Sequence, residues 1–236
     1  MADLDFVHDQ YESDSYYTIA SNSQEEVDIH WGFRWRYILR RILRRTAQPR
    51  LLEVGAGNGF FVHLARTESG LDADGLEISD AESAYARRMF GVEFLRCDLA
   101  ALGSDYDVVT SFNVIEHVPK PVELLATMRD RLKPNGYLVL STPNPACIHR
   151  RIHGLRKWAM VAPPHHINLF TRSALFQMLD DAGLDVVEYS TLSTYINFVR
   201  SFDTKSLLLR RTAFHLLKSA NLGADHFVIC RKRADA

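Results

Sequence analysis

Leu51-Leu52-Glu53-Val54-Gly55-Ala56-Gly57-Asn58-Gly59-Phe60-Phe61 is the stretch whose reading decides the fold. A short apolar run gives way at once to glycines, and Phe60, Phe61, Leu64 and Ala65 then recur at helical spacing. The pattern predicts a buried strand, a tight turn and a helix start. The glycines let the backbone bend sharply and approach a ligand closely. The free N–H groups of the new helix face whatever lies over the turn. Dinucleotide sites use this device with G-x-G-x-x-G spacing. Here the spacing is G-x-G-x-G, one residue shorter, and Glu53 puts an acid inside the strand. A carboxylate there repels a pyrophosphate and suits a ligand that carries an amino group and a sulfonium.

Around this stretch the chain has 236 residues, 47% hydrophobic and 24% charged, which fits one large domain or a domain with an appended lid. The net charge of −1 argues against a general nucleic-acid binder. Cys97, Cys147 and Cys230 are few, odd in number and far apart, so a reducing compartment without a disulfide framework is expected. The acidic N-terminus lacks a signal-peptide core, and no apolar run is long enough to cross a membrane. A soluble cytoplasmic protein is the expectation.

Residues 1–25 are polar, acidic and rich in tyrosine and read as an N-terminal arm; 26–236 read as the main domain. Trp35, Ile38, Leu39, Ile42 and Leu43 keep the spacing of an amphipathic helix. Its other face carries Arg34, Arg36, Arg40, Arg41, Arg44 and Arg45, either a solvated face or an anion site for a phosphate-bearing substrate. After the glycine turn, strands are expected at Leu71–Ile78, Val92–Arg96, Tyr106–Phe112 and Tyr137–Ser141. Helices are expected from Asp80, as cap, to about Phe90 and from Pro119 to Leu132, with a turn at Lys133–Gly136. Such alternation predicts a doubly wound, mostly parallel sheet covered on both faces. About 142–170 breaks the rhythm with four prolines and a basic patch from His149 to Lys157, and reads as a lid or substrate insertion. Beyond it a helix capped by Thr171, a strand at Leu184–Tyr189, a helical stretch within Tyr195–Leu217 and a last strand at Phe227–Cys230 are expected.

Leu51–Phe61 resembles motif I of the class I S-adenosylmethionine-dependent methyltransferases, and the likeness extends from about Arg34 to Cys230. The resemblance implies a seven-stranded Rossmann-like sheet, with β-strand Leu51–Val54 central and the last strand antiparallel. It implies S-adenosyl-L-methionine as cofactor, held by Glu53, Gly55, Ala56, Gly57, Asn58, Gly59 and Phe60 at the turn. Glu77 lies at the end of the second strand, eighteen residues after Gly59, where the family's acid accepts from both ribose hydroxyls. Asp98 and Leu99 match the adenine side, with Ile78 packing on the base. Asn113 and Val114, in the motif IV run Ser111–Val118, should lie near the methionine moiety. Arg34 aligns with an arginine that binds the cofactor carboxylate in ubiquinone-pathway relatives, a role that Arg36 or a backbone group could also fill.

That motif IV looks like the Glu-His-Val form of ubiquinone-pathway and sugar O-methyltransferases and lacks the Asn/Asp-Pro-Pro-Tyr/Phe of base N-methyltransferases. Some ubiquinone-pathway relatives place a second acid beside this Glu-His pair, where it helps hold a divalent cation. Here that position is Asn113, so Glu116 and His117 alone are short of ligands and no metal is expected. Pro164–Thr171 resembles a segment of methyltransferases encoded beside polysaccharide and natural-product (secondary-metabolite) genes. His165, His166 and then His117 are the candidate bases, since a histidine near its ordinary pKa accepts a proton at neutral pH; fixing the lid by hydrogen bonds is the other role open to the pair. The expected activity is O-methylation of a small metabolite, sugar or glycosylated, phosphate-bearing intermediate. A cofactor-binding partner subunit without turnover, an RNA methyltransferase and, less favoured, a nucleotide-cofactor oxidoreductase stay open as alternatives.

Overall fold

The computed structural model describes residues 23–158, 160–161, 166–193 and 207–234. The first twenty-two residues, most of the expected arm, lie outside the described residues, as does His165. α1 (Gln24–Val27) passes through a π turn (Asp28–Gly32) into α2 (Phe33–Leu43). β1 (Leu51–Val54) is buried along its whole length and is followed by α3 (Phe60–Thr67) and β2 (Ala73–Leu76). α4 (Asp80–Phe90) leads to β3 (Tyr106–Phe112), and α5 (Pro121–Asp130) to β4 (Leu132–Pro143). After β4 come α6 (Ile148–His153) and α7 (Arg172–Asp181), then β5 (Leu184–Leu192), α8 (Leu207–Ser219) and β6 (Asp225–Lys232).

The strands form one sheet in the order β2-β1-β3-β4-β6-β5. β2, β1, β3 and β4 run parallel, and β6 is antiparallel to both β4 and β5. β1 therefore lies between β2 and β3, and the last strand is antiparallel as expected. Leu51 joins one apolar cluster with Ile38, Ile42, Phe61 and Leu64, whereas Leu52 joins another with Leu125, Met128, Leu175 and Leu179. Adjacent side chains on a strand point to opposite faces, so β1 nucleates both layers.

Six strands are present among the described residues, one fewer than expected. Val92–Arg96 contributes a single bridge, Leu95 beside Leu76, with Leu95 N–H donating to Gly75 O at 2.9 Å. Phe94 turns inward and packs on Gly75, and the segment makes no longer ladder. Ser79, not Asp80, caps α4: its backbone is extended and its hydroxyl accepts from Glu82 N–H. α5 starts at Pro121, two residues later than expected, because Pro121 disfavours helical backbone at the preceding Lys120, which takes φ −127°. Lys133–Gly136 is no free turn but lies within β4, where the pairing with β3 jumps from Tyr106–Leu132 to Val108–Tyr137. Thr171 caps α7 as the sequence predicts, accepting from Ala174 N–H.

The arginine face of α2 is mostly paired with acids from distant elements. Arg36 meets Asp28 and Glu68, and Arg41 and Arg45 both hold Glu188. Arg34 is buried against Asp225. Arg40 and Arg44 are exposed. The run is therefore largely a set of ties between α2 and the rest of the molecule, not an open anion site.

Candidate active site at the carboxyl ends of the parallel strands

The glycine turn sits where β1 ends, the edge at which ligands bind in open α/β sheets. Gly55 has φ +73°, and a Cβ there would lie 2.4 Å from Val114 Cγ2. Motif I and motif IV thus touch, which only a residue without a side chain permits. A Cβ on Gly57 would meet nothing within 4 Å, so the turn opens on free space. Gly55 and Ala56 donate to Leu76 O, both at 2.9 Å. Ala56 and Phe60 are buried, and Asn58 Oδ1 accepts from Phe60 N–H at 3.1 Å.

Glu77 ties β2 to this turn. Its carboxylate accepts from Gly57 N–H at 2.7 Å and from Ser79 N–H at 2.9 Å. Burial raises its pKa and these N–H groups oppose the rise. Glu53 is buried, with Oε2 hydrogen-bonded to nothing among the described residues. Burial first, then the negative charge of Glu77, pushes its carboxyl well above the usual range. Glu82, which the sequence reading passed over, is lifted to about 7 by burial and by Glu77. Glu53 and Glu82 each feel the negative charge of Glu77, which holds the turn, so the turn lies in a negative neighbourhood that a cationic ligand would relieve. A sulfonium with an amino group has that character, so the residues present fit S-adenosylmethionine. Ile78 is 49% exposed beside Glu77 and offers an apolar face. Asp98 is exposed and caps a single 3-10 turn, Leu99–Ala101, by accepting from Ala100 N–H at 2.9 Å.

On the other side of β1, Asn113 takes φ +56° at the end of β3. A 3-10 turn, Ile115–His117, then buries Glu116 and His117. Glu116 Oε2 accepts from Thr142 Oγ1 at 2.9 Å, while Oε1 makes no hydrogen bond among the described residues. Burial pushes this carboxyl up to about 8. The Glu116 carbonyl accepts from Ile167 N–H and Asn168 N–H, both at 3.0 Å, and Asn168 Nδ2 donates to Val118 O at 2.8 Å. These bonds dock the histidine-bearing loop onto motif IV. The His166 and His117 rings meet edge to face, centroids 4.7 Å apart. His166 Nδ1 lies 2.9 Å from Met160 O. A carbonyl only accepts, so Nδ1 is the donor in this contact.

Glu116, His117 and His166 each bring a ligand atom to within 4.8 Å of the others. Two imidazoles and a carboxylate are donors that suit a divalent transition ion. The sequence reading saw two of the three; the third comes from a loop 49 residues further on.

Arg34 is 4% exposed. It donates from Nη1 to Asp225 Oδ2 at 2.5 Å and from Nη2 to Ser141 Oγ at 3.0 Å. Ser141 Oγ in turn donates to Asn113 Oδ1 at 3.0 Å. Neither Ser141 nor Asp225 stood out in the sequence. Ser141 was an ordinary strand end there and Asp225 lay outside the expected last strand, and their alignment with Arg34 comes from the β4–β6 register.

The profile of a family described as a methyltransferase domain matches residues 30–189. The ubiquinone biosynthesis O-methyltransferase of Cereibacter sphaeroides is 30% identical over 151 residues, covering 59% of this chain and 61% of that protein. The match thus spans about three fifths of the length of such curated relatives. A crystal structure of a SAM-dependent methyltransferase from Archaeoglobus fulgidus superposes with a TM-score of 0.61 at 21% identity, over 85% of this chain and 94% of that one. A Haemonchus contortus phosphoethanolamine N-methyltransferase, solved with S-adenosyl-L-methionine, superposes with a TM-score of 0.58 at 16% identity, over 85% of this chain and 52% of that one.

Proposed function

On the premise that this chain belongs to the methyltransferase-domain family and uses S-adenosylmethionine, we propose that it methylates a hydroxyl of a small metabolite, sugar or glycosylated, phosphate-bearing intermediate. The observation that carries this reading is His166, whose Nδ1 is held by Met160 O and whose ring packs edge to face on buried His117 beside motif IV. When bound, the cofactor supplies an electrophilic methyl group. Gly55–Gly59, Glu53 and Glu77 bind it, with Ile78, Asp98 and Leu99 on the adenine side. Asn113 and Val114 lie across β1 from Glu77. His166, held against His117, takes the hydroxyl proton, and the lid from α6 onward keeps water out. No acidic residue occurs between Asp130 and Asp180, while Arg150, Arg151 and Arg156 line that stretch, which supports an anionic acceptor.

His166→Ala tests the assignment. Cofactor affinity should stay at the parent's value, and turnover should fall by about 10²–10⁴-fold. Unchanged turnover sinks this base assignment and leaves His165, then His117, as the candidates. The cluster of Glu116, His117 and His166 also favours a second reading, a divalent cation that polarises the acceptor oxygen. Turnover lost on chelation and restored by added metal selects that reading over a free base.

A further inference from the structure

A set of side chains closes a ring around the start of α7. His226, on β6, is 1% exposed. Its Nε2 lies 3.0 Å from Phe170 O, and its Nδ1 lies 2.9 Å from the Tyr189 hydroxyl. A carbonyl only accepts, so Nε2–H is the donor to Phe170. Burial pushes the His226 pKa down, against the pull of Phe170 O and Asp225 and helped by the repulsion of Arg172. The ring is therefore neutral at pH 7, Nδ1 carries the lone pair, and the Tyr189 hydroxyl donates to it. Tyr189 is itself fixed from α7. The Arg172 guanidinium stands over its ring at 4.4 Å, and Phe176 meets it edge to face with centroids 5.4 Å apart.

The β4–β6 register puts His226 beside Thr142, and residues paired in this way turn their side chains to the same face. Thr142 is the residue that donates to Glu116. One face of the sheet therefore serves both ends of the segment from His166 to Phe170. The near end hangs on the Glu116 carbonyl, through Ile167 N–H and Asn168 N–H. The far end hangs on His226, through Phe170 O. A short segment held at both ends leaves His166 little room to move against His117.

We propose that His226 is a positioning residue: accepting from Tyr189 and donating to Phe170 O, it clamps the far end of the histidine loop and so sets where His166 lies against motif IV. This rests on the reading of His166 as the acceptor-side base and extends it to a residue outside the site. The clamp is sensitive to pH. A second ring proton would put N–H on both nitrogens, so the Tyr189 hydroxyl would face a donor and have to turn its own proton away. Arg172 repels that proton, Asp225 favours it but is already paired with Arg34, and Glu116 lies one strand away on Thr142. The buried site disfavours the charged ring, so docking is complete above the ordinary histidine value of 6.5 and weakens as pH falls below it.

The test is amide protection from hydrogen exchange, read residue by residue by NMR on the full chain without ligand, from pH 5 to 8. Ile167 and Asn168 report the docked loop, and the buried β1 reports global opening. In the parent, protection of the two loop amides should decline below pH 6.5 while that of β1 holds. His226→Phe keeps a ring but neither bond, and should lower the loop protections roughly tenfold relative to β1. His226→Gln offers an N–H and an acceptor oxygen but does not titrate. It should restore the parent's protection at neutral pH and abolish the decline below it. Tyr189→Phe leaves the imidazole in place and covers the case that His226→Phe folds poorly; it should cost about threefold. The proposal is overturned if loop and β1 lose protection equally in His226→Phe, if neither loses any, or if His226→Gln keeps the parent's decline. Unchanged loop protection in Tyr189→Phe overturns it as well. These amides report docking whatever His166 does, so a wrong base assignment shows only in the turnover of His166→Ala.

Discussion

The two halves of the proposed site differ in how the chain builds them. The cofactor side is local: β1, its turn and the start of α3 are one continuous stretch, and Glu77 arrives only one helix later. The acceptor side is assembled from afar. Glu116 and His117 follow β3, Thr142 lies near the end of β4, and His166 comes from the loop before α7. A locally built site carries its own turn geometry. A site assembled from several elements depends on each docking contact, and the Glu116 carbonyl is the point where two backbone N–H groups meet. Family members can therefore share the first half and differ in the second.

The comparison breaks most visibly where Gly55 meets Val114. Gly55→Ala puts a Cβ 2.4 Å from Val114 Cγ2 at a φ of +73°. The left-handed backbone and the overlap together should destabilise the fold by about 2–5 kcal/mol. Adding Val114→Ala should recover the packing share, about 1–3 kcal/mol, in denaturant melts. A Gly55→Ala protein that melts like the parent would mean that the halves are not in contact.

A smaller effect belongs to the cofactor side. The folded chain holds the Glu82 proton more tightly than the unfolded chain, with a pKa of about 7 against 4.5. Its contribution to stability is therefore complete below pH 4.5 and is lost as pH rises through about 7. Glu82→Gln should lack that slope and be more stable than the parent at pH 8, by up to about 3 kcal/mol. Parallel stability curves from pH 4 to 8 would show that Glu82 titrates as it does in the unfolded chain.

The smallest effect sharpens the separation. Asn168→Ala removes the bond to Val118 O and loosens the histidine loop. Turnover should fall by about 1 kcal/mol of barrier, roughly fivefold, with cofactor affinity unchanged. If affinity drops by the same factor, the two halves do not act separately.

Sequence by itself determined the strand-turn-helix at Leu51–Phe61 and the alternation of strands and helices, which follow from period, turn chemistry and capping within one or two elements. The antiparallel last strand and the place of Glu77 beside the turn agree with what the family resemblance implied. Errors of the sequence reading lie where neighbouring choices are nearly equal, as with Ser79 against Asp80 as cap, or where packing overrides a strand pattern, as at Phe94. Tertiary structure alone decided that most arginines of the α2 run are paired, and that Arg34 meets Asp225 across 191 positions of chain. It also decided that His166 joins Glu116 and His117. Such meetings depend on sheet register and loop docking, which bring distant residues within a few ångströms and leave no periodic trace along the chain.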